Sequence, residues 1–244
     1  MFEEFEEIRK ICLEDVVNNP ENLYHLVSNL NWSRYVRQIK RIAYGLPKNA
    51  CVIDIGCEYG FIAAMLSILR PDLKIYSVDL KPMETWGKLK KHNVKFQTGN
   101  GMCLNFRNNT FDAVLTFGVL EHVEDNDKFL KEVKRVLKKN GKFFIFNLPN
   151  KYSMPEFLAK RMGVWHHETK YSIGDISYLL SNNNFKIVEF KIEFLIPAQV
   201  ERVNKGLANM FNHTYGMIQK IDDILTITPL KYFAQSIYVE CVNV

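Results

Sequence analysis

The spacing of hydrophobic and polar positions changes repeatedly along the chain between a strand-like and a helix-like pattern. Short runs that are mostly apolar or alternate apolar with polar predict strands, and apolar positions three and four residues apart predict helices. The predicted strands are 51–55, 74–79, 94–98, 111–117, 142–147, 185–195 and 236–243. The first, fourth and fifth of these are almost wholly apolar, as expected of strands that are covered on both faces.

The helix-like stretches fall mainly at the beginning of the chain and between these strands. They are predicted at 3–17, 32–44, 60–69, 126–139 and 173–183, with a helical insert at 199–230. Gly141 would lie just beyond the end of the helix at 126–139, and Ser172 would cap the one at 173–183. Alternation of this kind builds an open parallel sheet with right-handed crossovers.

Composition narrows the class of protein without fixing its activity. The chain has 244 residues, 47% of them hydrophobic, which is enough for one α/β domain with additions. Its formal net charge of +5 favours an anionic partner only weakly. The five cysteines are scattered and form no CxxC pair, so we expect neither a disulfide framework nor a zinc site, and a cytoplasmic location. No apolar run reaches the ~18 residues that a membrane span needs.

The segment CVIDIGCEYGF at 51–61 carries the most informative local pattern. It ends a buried strand on Asp54 and turns at once through Gly56 and Gly60. In an open α/β sheet, ligands bind beyond the carboxyl ends of the strands, and glycine lets the backbone approach a ligand closely. The dinucleotide fingerprint GxGxxG fails here, because Glu58 and Phe61 occupy the other two glycine positions. A carboxylate in the turn favours a positively charged ligand without phosphates.

Several stretches in sequence order resemble the motifs of one family, the class I (Rossmann-like) S-adenosylmethionine-dependent methyltransferases. DIGCEYG is similar to the glycine-rich first motif, and YSVDL at 76–80 is similar to the second strand with its terminal acid. The others are TGNGMCLNF (98–106), FDAVLTFGVLEHVED (111–125), FLKEVKRVLKKNGKFFIFNLPN (129–150) and HETKYSIGDISYLLSNNNFKIVEF (167–190). The resemblance implies a Rossmann-like α/β fold with a seven-stranded, mostly parallel sheet and helices on both faces. It also implies S-adenosylmethionine as the cofactor.

The resemblance assigns roles in cofactor binding to individual residues. Asp79 would accept hydrogen bonds from the ribose hydroxyls, Asp54 would help hold the ammonium group, and Asn100 would accept from the adenine amino group. The full set of expected cofactor-binding residues is Asp54, Gly56, Cys57, Gly60, Asp79, Leu80, Asn100, Gly101, Met102 and Phe117. The chain departs from the family pattern twice, with Glu58 for the middle glycine and Asn100 for an aspartate.

The domain division follows from the same comparison. Residues 1–47 are predicted to be an N-terminal helical extension, and residues 48–244 a methyltransferase-like domain that contains the insert 199–230. Together with a loop at 150–170, these additions would form the acceptor pocket.

The sequence says little about catalytic residues. Methyl transfer from a sulfonium is a displacement for which the protein mainly supplies position and a dry site, and a base is needed only if the acceptor must lose a proton. His122 and His166 are the candidate catalytic residues, and Glu121 could orient or deprotonate an acceptor. Adjacent histidines such as His166 and His167 rarely bind one ion, so no metal is expected.

Three functions remain open at this point. The favoured one is a methyltransferase acting on a small molecule, or on a lipid-like or modified metabolite. An RNA methyltransferase would use the basic positions of the second helix, although a solvent-facing helix surface is the simpler interpretation and nucleic acid is not favoured. These positions are Arg34, Arg37, Lys40 and Arg41. A non-catalytic scaffold that retained the fold is the third. Nothing in the sequence indicates an oligomeric state.

Overall fold

The computed structural model describes residues 2–16, 24–163, 166–197 and 205–244. Seven strands in this part form one sheet, in the order β3-β2-β1-β4-β5-β7-β6. Their bounds are β1 Cys51–Ile55, β2 Lys74–Asp79, β3 Val94–Thr98, β4 Phe111–Phe117, β5 Leu137–Pro149, β6 Phe185–Glu193 and β7 Ser236–Asn243. The first five strands are parallel, and β7 is antiparallel to both β5 and β6. The predicted fold class is confirmed.

Nine α-helices lie among the described residues. They are α1 Phe2–Val16, α2 Tyr24–Val27, α3 Asn29–Gly45, α4 Phe61–Leu69, α5 Glu84–Leu89, α6 Asn126–Val136, α7 Met154–Arg161, α8 Ile173–Asn182 and α9 Lys205–Leu225. Ser172 caps α8 as predicted, in a reciprocal pair of hydrogen bonds with Asp175. Residue 17 of the first predicted helix and residues 199–204 of the predicted insert lie outside the described part.

Two hydrophobic clusters cover the two faces of the sheet. One contains buried side chains of α1, α3 and α4 packed on the central strands, and the other contains side chains of α6 and α8. Phe5 and Ile8 of α1 belong to the first cluster together with Ala63 of α4. The N-terminal helices therefore share a core with the sheet, while the division at residue 47 stays a prediction.

The predicted boundary between the fourth long helix and the fifth strand is wrong. The helix was expected to continue to residue 139, but α6 ends at Val136 and β5 begins at Leu137. Leu137 is fully buried and pairs with Phe111 across the sheet. Tertiary pairing has overridden the helical pattern at this point, as often happens when local propensity and packing compete.

Candidate functional site

The turn after β1 is built around two glycines in the left-handed region of backbone space. Gly56 has φ 75° and Gly60 has φ 79°. A Cβ on Gly56 would lie 2.6 Å from Cγ2 of Val119, in the segment that follows β4. Larger residues are excluded both by backbone conformation and by this close approach of the two segments. The turn lies between β1 and β4, where the order of strands reverses and α/β proteins bind their ligands.

Glu58 occupies the middle of this turn with φ 44°, which is unusual for a residue other than glycine. Its backbone N–H donates to Asp79 Oδ2 at 2.8 Å, and its carbonyl accepts from Trp86 Nε1 at 2.8 Å. Both backbone groups are thus held, so the surrounding structure maintains a conformation that glycine would adopt more easily.

Three carboxylates meet at the ends of β1 and β2. Asp54 is almost completely buried, and no hydrogen-bond partner in the described residues reaches its Oδ2. Burial, reinforced by the charge of Asp79, raises the pKa of Asp54 to about 7. The same two causes raise the pKa of Glu58 to about 7. A cation placed beside this cluster would stabilise the ionised carboxylates that burial now disfavours.

A cavity of about 1150 Å³ opens beyond this turn. One end of the cavity is formed by the strand ends and by the loop after β3. Seven of the predicted cofactor-binding residues are in the cavity wall. These are Gly56, Asp79, Leu80, Asn100, Gly101, Met102 and Phe117. Asp54, Cys57 and Gly60 are not in the cavity wall: the first two are buried behind it, and Gly60 precedes α4.

The loop after β3 has a defined shape at this end of the cavity. Asn100 Oδ1 accepts from the backbone N–H of Met102 at 2.8 Å, which fixes the side chain. A Cβ on Gly101 would lie 2.7 Å from the Phe129 ring, so only glycine fits between the loop and α6. Asn100 is therefore held at the cavity edge, where the resemblance expects an acceptor for an adenine amino group.

The opposite end of the cavity is lined by α3, by β5 and by the segment after β6. Gln38 Nε2 donates to Asn147 Oδ1 at 2.8 Å across this end. The Arg34 guanidinium lies 4.4 Å from the ring centroid of Phe194. This end therefore combines apolar surface with a few fixed polar groups, as binding sites for small organic molecules do.

Glu121 is the most unusual side chain in this wall. It is 8% exposed, and neither carboxylate oxygen has a hydrogen-bond partner in the part of the chain that the structure describes. Burial raises its pKa to about 7. His167 Nε2 lies 3.9 Å from Glu121 Oε1. A buried acceptor without a donor costs free energy, so the site suits a ligand that supplies an O–H or N–H group.

The short helix Leu120–His122 that carries Glu121 is anchored from α8 and α6. The hydroxyl of Tyr171, the residue just before the cap of α8, donates to the Leu120 carbonyl at 3.0 Å. Asn126 Nδ2 in turn donates to that hydroxyl at 2.9 Å. These contacts hold the position of Glu121 relative to the strand ends.

The two histidines predicted as candidates lie in different places. His122 is in the cavity wall, and burial lowers its pKa, with a smaller contribution from His167. His166 lies instead in a separate depression of about 420 Å³ beside α7. Its neighbour His167 is the one that reaches the cavity, 3.1 Å from Glu156 Oε1 through Nδ1.

The basic positions of α3 are not the solvent-facing surface that their spacing suggests. Arg34 is buried and pairs with Asp222 of α9 at 3.2 Å. Arg37 pairs with Asp223 at 2.6 Å, and Arg41 pairs with Glu193 at 2.6 Å. Two of these acids belong to the helical insert and Glu193 ends β6, so the arginines pair with distant segments, which helix periodicity does not reveal.

Sequence reasoning missed several residues of the wall for a similar reason. Gln38, Asn147 and Phe194 come from three separate segments and follow no motif. Among the described residues, no three His, Cys, Asp or Glu side chains are grouped as a metal ion would require. None of the helices in the same part of the chain combines the length and the apolar character needed to cross a bilayer.

Residues 53–145 match a family described as "Methyltransferase domain". The match runs from β1 into β5, and together with the strand order described above it agrees with the resemblance of the motifs to the class I, Rossmann-like S-adenosylmethionine-dependent methyltransferases. A solved structure from Thermotoga maritima, titled an SAM-dependent methyltransferase, superimposes with a TM-score of 0.60 at 17% identity. The superposition covers 96% of this chain and 98% of the other chain.

Two curated relatives show the range of proteins to which the sequence is similar. Norajmaline N-methyltransferase from Rauvolfia serpentina is 32% identical over 37% of this chain and 32% of its own length. Demethylmenaquinone methyltransferase from Symbiobacterium thermophilum is 25% identical over 62% of this chain and 63% of its own length. The chain thus spans less than two thirds of each of these relatives.

Proposed function

We propose that this chain is an S-adenosylmethionine-dependent methyltransferase whose acceptor is a small, partly apolar molecule. The observation that carries the proposal is the cavity wall beyond β1 and β2. At one end it has the glycine turn and the carboxylates of Glu58 and Asp79, with Asp54 buried behind them, and it also contains Glu121, whose carboxylate oxygens have no hydrogen-bond partner among the described residues. The first end suits a cationic nucleoside without phosphates, and the family match supports that ligand.

The size of the cavity supports binding of an acceptor beside the cofactor. Pockets for single small ligands occupy about 300–1,000 Å³, whereas this cavity measures about 1150 Å³. Val27, Tyr35 and Phe194 add apolar surface to the cavity wall beside the strand ends. A lipid-like or modified metabolite fits this surface, and the names of the two curated relatives, norajmaline N-methyltransferase and demethylmenaquinone methyltransferase, agree with a small acceptor.

The protein residues have distinct tasks in the proposed reaction. When bound, S-adenosylmethionine supplies a methyl group on a sulfonium, and the electron pair of the broken carbon–sulfur bond stays on sulfur. Asp79 and the turn at Gly56 hold the nucleoside end. Glu121 accepts a hydrogen bond from the acceptor O–H or N–H and takes its proton as the lone pair of that atom bonds to the methyl carbon. With a pKa near 7, Glu121 can serve as this base at neutral pH.

The ion pairs of α3 argue against RNA as the acceptor. Arg34, Arg37 and Arg41 each have a carboxylate partner within the chain. Phosphate contacts normally require exposed cations that exchange small counterions for the nucleic acid. Three of the four basic positions that would suit RNA are therefore already paired with carboxylates of the chain, and Arg34 is buried.

A label-transfer assay tests the proposal. The chain is incubated with methyl-labelled S-adenosylmethionine and a panel of hydroxylated and aminated lipid-like acceptors, and label is counted in the organic extract. We expect transfer to at least one acceptor class, and a loss of about 10²–10⁴-fold in kcat for Glu121→Gln, the range typical of a general base. The dissociation constant for the cofactor should not change in this variant.

Glu124→Gln is the matched control, since Glu124 is also in the cavity wall, three residues further along. Equal kcat values for wild type and Glu121→Gln on a working acceptor would remove Glu121 from the mechanism. Transfer to RNA but to no small acceptor would overturn the assignment of substrate class.

A further inference from the structure

Two exposed segments leave the sheet side by side at the edge of the cavity. Pro149 at the end of β5 pairs with Ser236 at the start of β7, and both line the cavity. Residues 150–162 follow Pro149 along the chain, and residues 229–235 precede Ser236. Asn150 Nδ2 ties the two segments together by donating to the carbonyls of Tyr232 at 2.9 Å and Ala234 at 2.8 Å. We call residues 150–162 and 229–233 the mouth surface.

Helix α7 in the mouth surface presents its apolar side chains outward. Pro155, Glu156 and Ala159 are buried against the body of the protein. The opposite side carries large apolar residues that are 44–58% exposed, namely Met154, Phe157, Leu158 and Met162. Tyr152, Leu230, Tyr232 and Phe233 add exposed apolar area beside them. A helix that buries an acid and exposes a hydrophobic stripe is arranged for a further apolar environment.

The charged residues of the mouth surface are almost all basic. Its cations are Lys151, Lys160, Arg161 and Lys231. The only acid in the two segments is Glu156, which is 1% exposed and held by His167 and Lys170. Of the acids just outside, Asp175 lies 4.0 Å from Lys151, and Glu168 shares the depression beside α7 with three lysines. The outward face is therefore apolar with a net positive charge.

We propose that the mouth surface docks on the surface of an anionic bilayer and brings the cavity to a lipid-like acceptor held there. Apolar and aromatic side chains enter the interface between headgroups and acyl chains, while lysine and arginine contact the anionic headgroups. Charge complementarity selects this occupant over a second copy of the chain, because two identical basic faces would repel each other. The statement about the acceptor rests on the proposed function; the docking itself does not.

Vesicle sedimentation tests the docking without cofactor or substrate. We expect the chain to bind vesicles that contain about 30 mol% phosphatidylglycerol in phosphatidylcholine, and to bind pure phosphatidylcholine at least about tenfold more weakly. High salt should weaken binding, since it screens the charges. The double variant Phe157→Ser/Leu158→Ser and the double variant Lys160→Glu/Arg161→Glu should each lower the partition coefficient by about tenfold or more.

Controls of the same chemistry lie on other surfaces. Tyr178→Ser removes an exposed apolar side chain from α8, and Lys139→Glu reverses an exposed charge in β5. Both should bind vesicles as wild type does, and circular dichroism should show all variants folded. Wild type that binds neither vesicle type, or mouth-surface variants that bind like wild type, would overturn the proposal. So would a dimer in light scattering that Phe157→Ser/Leu158→Ser dissociates while vesicle binding stays unchanged.

The two proposals fail separately. Absence of label transfer with intact vesicle binding would contradict the methyltransferase activity and leave the docking in place. Methyl transfer to an acceptor in detergent, with no vesicle binding, would contradict the docking and leave the methyltransferase activity in place.

Discussion

At the scale of single residues, Asp79 has the most constrained role in the site. Its Oδ2 already orders the turn after β1 by accepting from the Glu58 N–H at 2.8 Å, and its side chain lines the cavity. One carboxylate therefore both shapes the turn and faces the cavity. Asp79→Ala should weaken cofactor binding by about 1.5–3 kcal/mol, the scale of hydrogen bonds to a charged group.

Isothermal titration measures this loss directly. Asp79→Asn should retain part of the affinity, because its amide oxygen can still accept a hydrogen bond while its charge is gone. Asp175→Ala, an exposed acid at the start of α8, should bind the cofactor like wild type. An Asp79→Ala variant with the wild-type dissociation constant would show that the sugar is held elsewhere.

A second prediction at the scale of residues concerns Glu58 and the dependence of cofactor affinity on pH. Asp54 and Glu58 each have a pKa of about 7 in the protein without ligand, raised by burial and by Asp79. Because a bound cation favours their ionised forms, binding of the sulfonium ligand releases protons, and its affinity should rise as pH increases from 6 to 8. The product S-adenosylhomocysteine has a neutral sulfur, so its affinity should rise less.

Glu58→Gln tests this reasoning. We expect the preference for S-adenosylmethionine over S-adenosylhomocysteine to fall by about three- to tenfold at pH 8, with a shallower dependence on pH. The control is Glu84→Gln, at an exposed position in the first turn of α5. An unchanged preference in Glu58→Gln would mean that its carboxylate does not sense the charge on sulfur.

At the scale of elements, the sequence predicts the strands well and the junction of α6 with β5 poorly. Six strands are seen close to their predicted bounds, because buried strands have a clear apolar pattern. The helix before β5 appears too long in the sequence, since Leu137 continues the helical spacing but pairs with Phe111 in the sheet. Asn140, with φ 61°, and Gly141 then make the bend inside β5.

Gly141 is predicted to be indispensable for this bend. A Cβ there would lie 2.9 Å from both Leu137 Cγ and the carbonyl oxygen of Lys138. Gly141→Ala should therefore lower the free energy of unfolding by about 1–3 kcal/mol, the usual cost of overpacking. Gly87→Ala in α5 is the matched control: its added methyl group meets nothing within 4 Å, and alanine should stabilise the helix by about 0.5–1 kcal/mol.

Urea denaturation of both variants measures the two changes. Equal stability of Gly141→Ala and wild type would show that the bend tolerates a side chain and that the early start of β5 has another cause.

At the scale of the whole molecule, α3 lines the cavity and the helical insert packs against α3. Arg34 of α3 and Asp222 of α9 form a buried ion pair, and the Asp222 Oδ1 also accepts from the Ile196 N–H at 2.8 Å. The sequence shows both elements as amphipathic helices but not this contact, which joins positions 188 residues apart. The turn after β1 lies within one motif and could be predicted from it. The acceptor end is formed by distant segments, whose contacts the sequence does not show.

The adjacent residues Asp222 and Asp223 allow the contact between α3 and α9 to be tested. Asp222→Ala should cost about 3–5 kcal/mol of stability, because it removes the carboxylate that balances the charge of the buried Arg34 guanidinium. Asp223→Ala breaks a pair whose side chains are 41% and 51% exposed, and it should cost less than about 1 kcal/mol. Thermal and urea unfolding distinguish them; similar small losses in both variants would mean that the buried ion pair contributes little to holding α9 against α3.

The central claim is that the turn after β1 and the end of β2 bind S-adenosylmethionine with its methyl group directed toward Glu121. A crystal structure of the chain with this cofactor tests it most directly. The account predicts ribose hydroxyls within hydrogen-bond distance of Asp79, adenine beside Asn100 and Met102, and sulfur facing the acceptor end. Density for the nucleoside elsewhere, or an empty cavity in crystals soaked at millimolar cofactor, would contradict it.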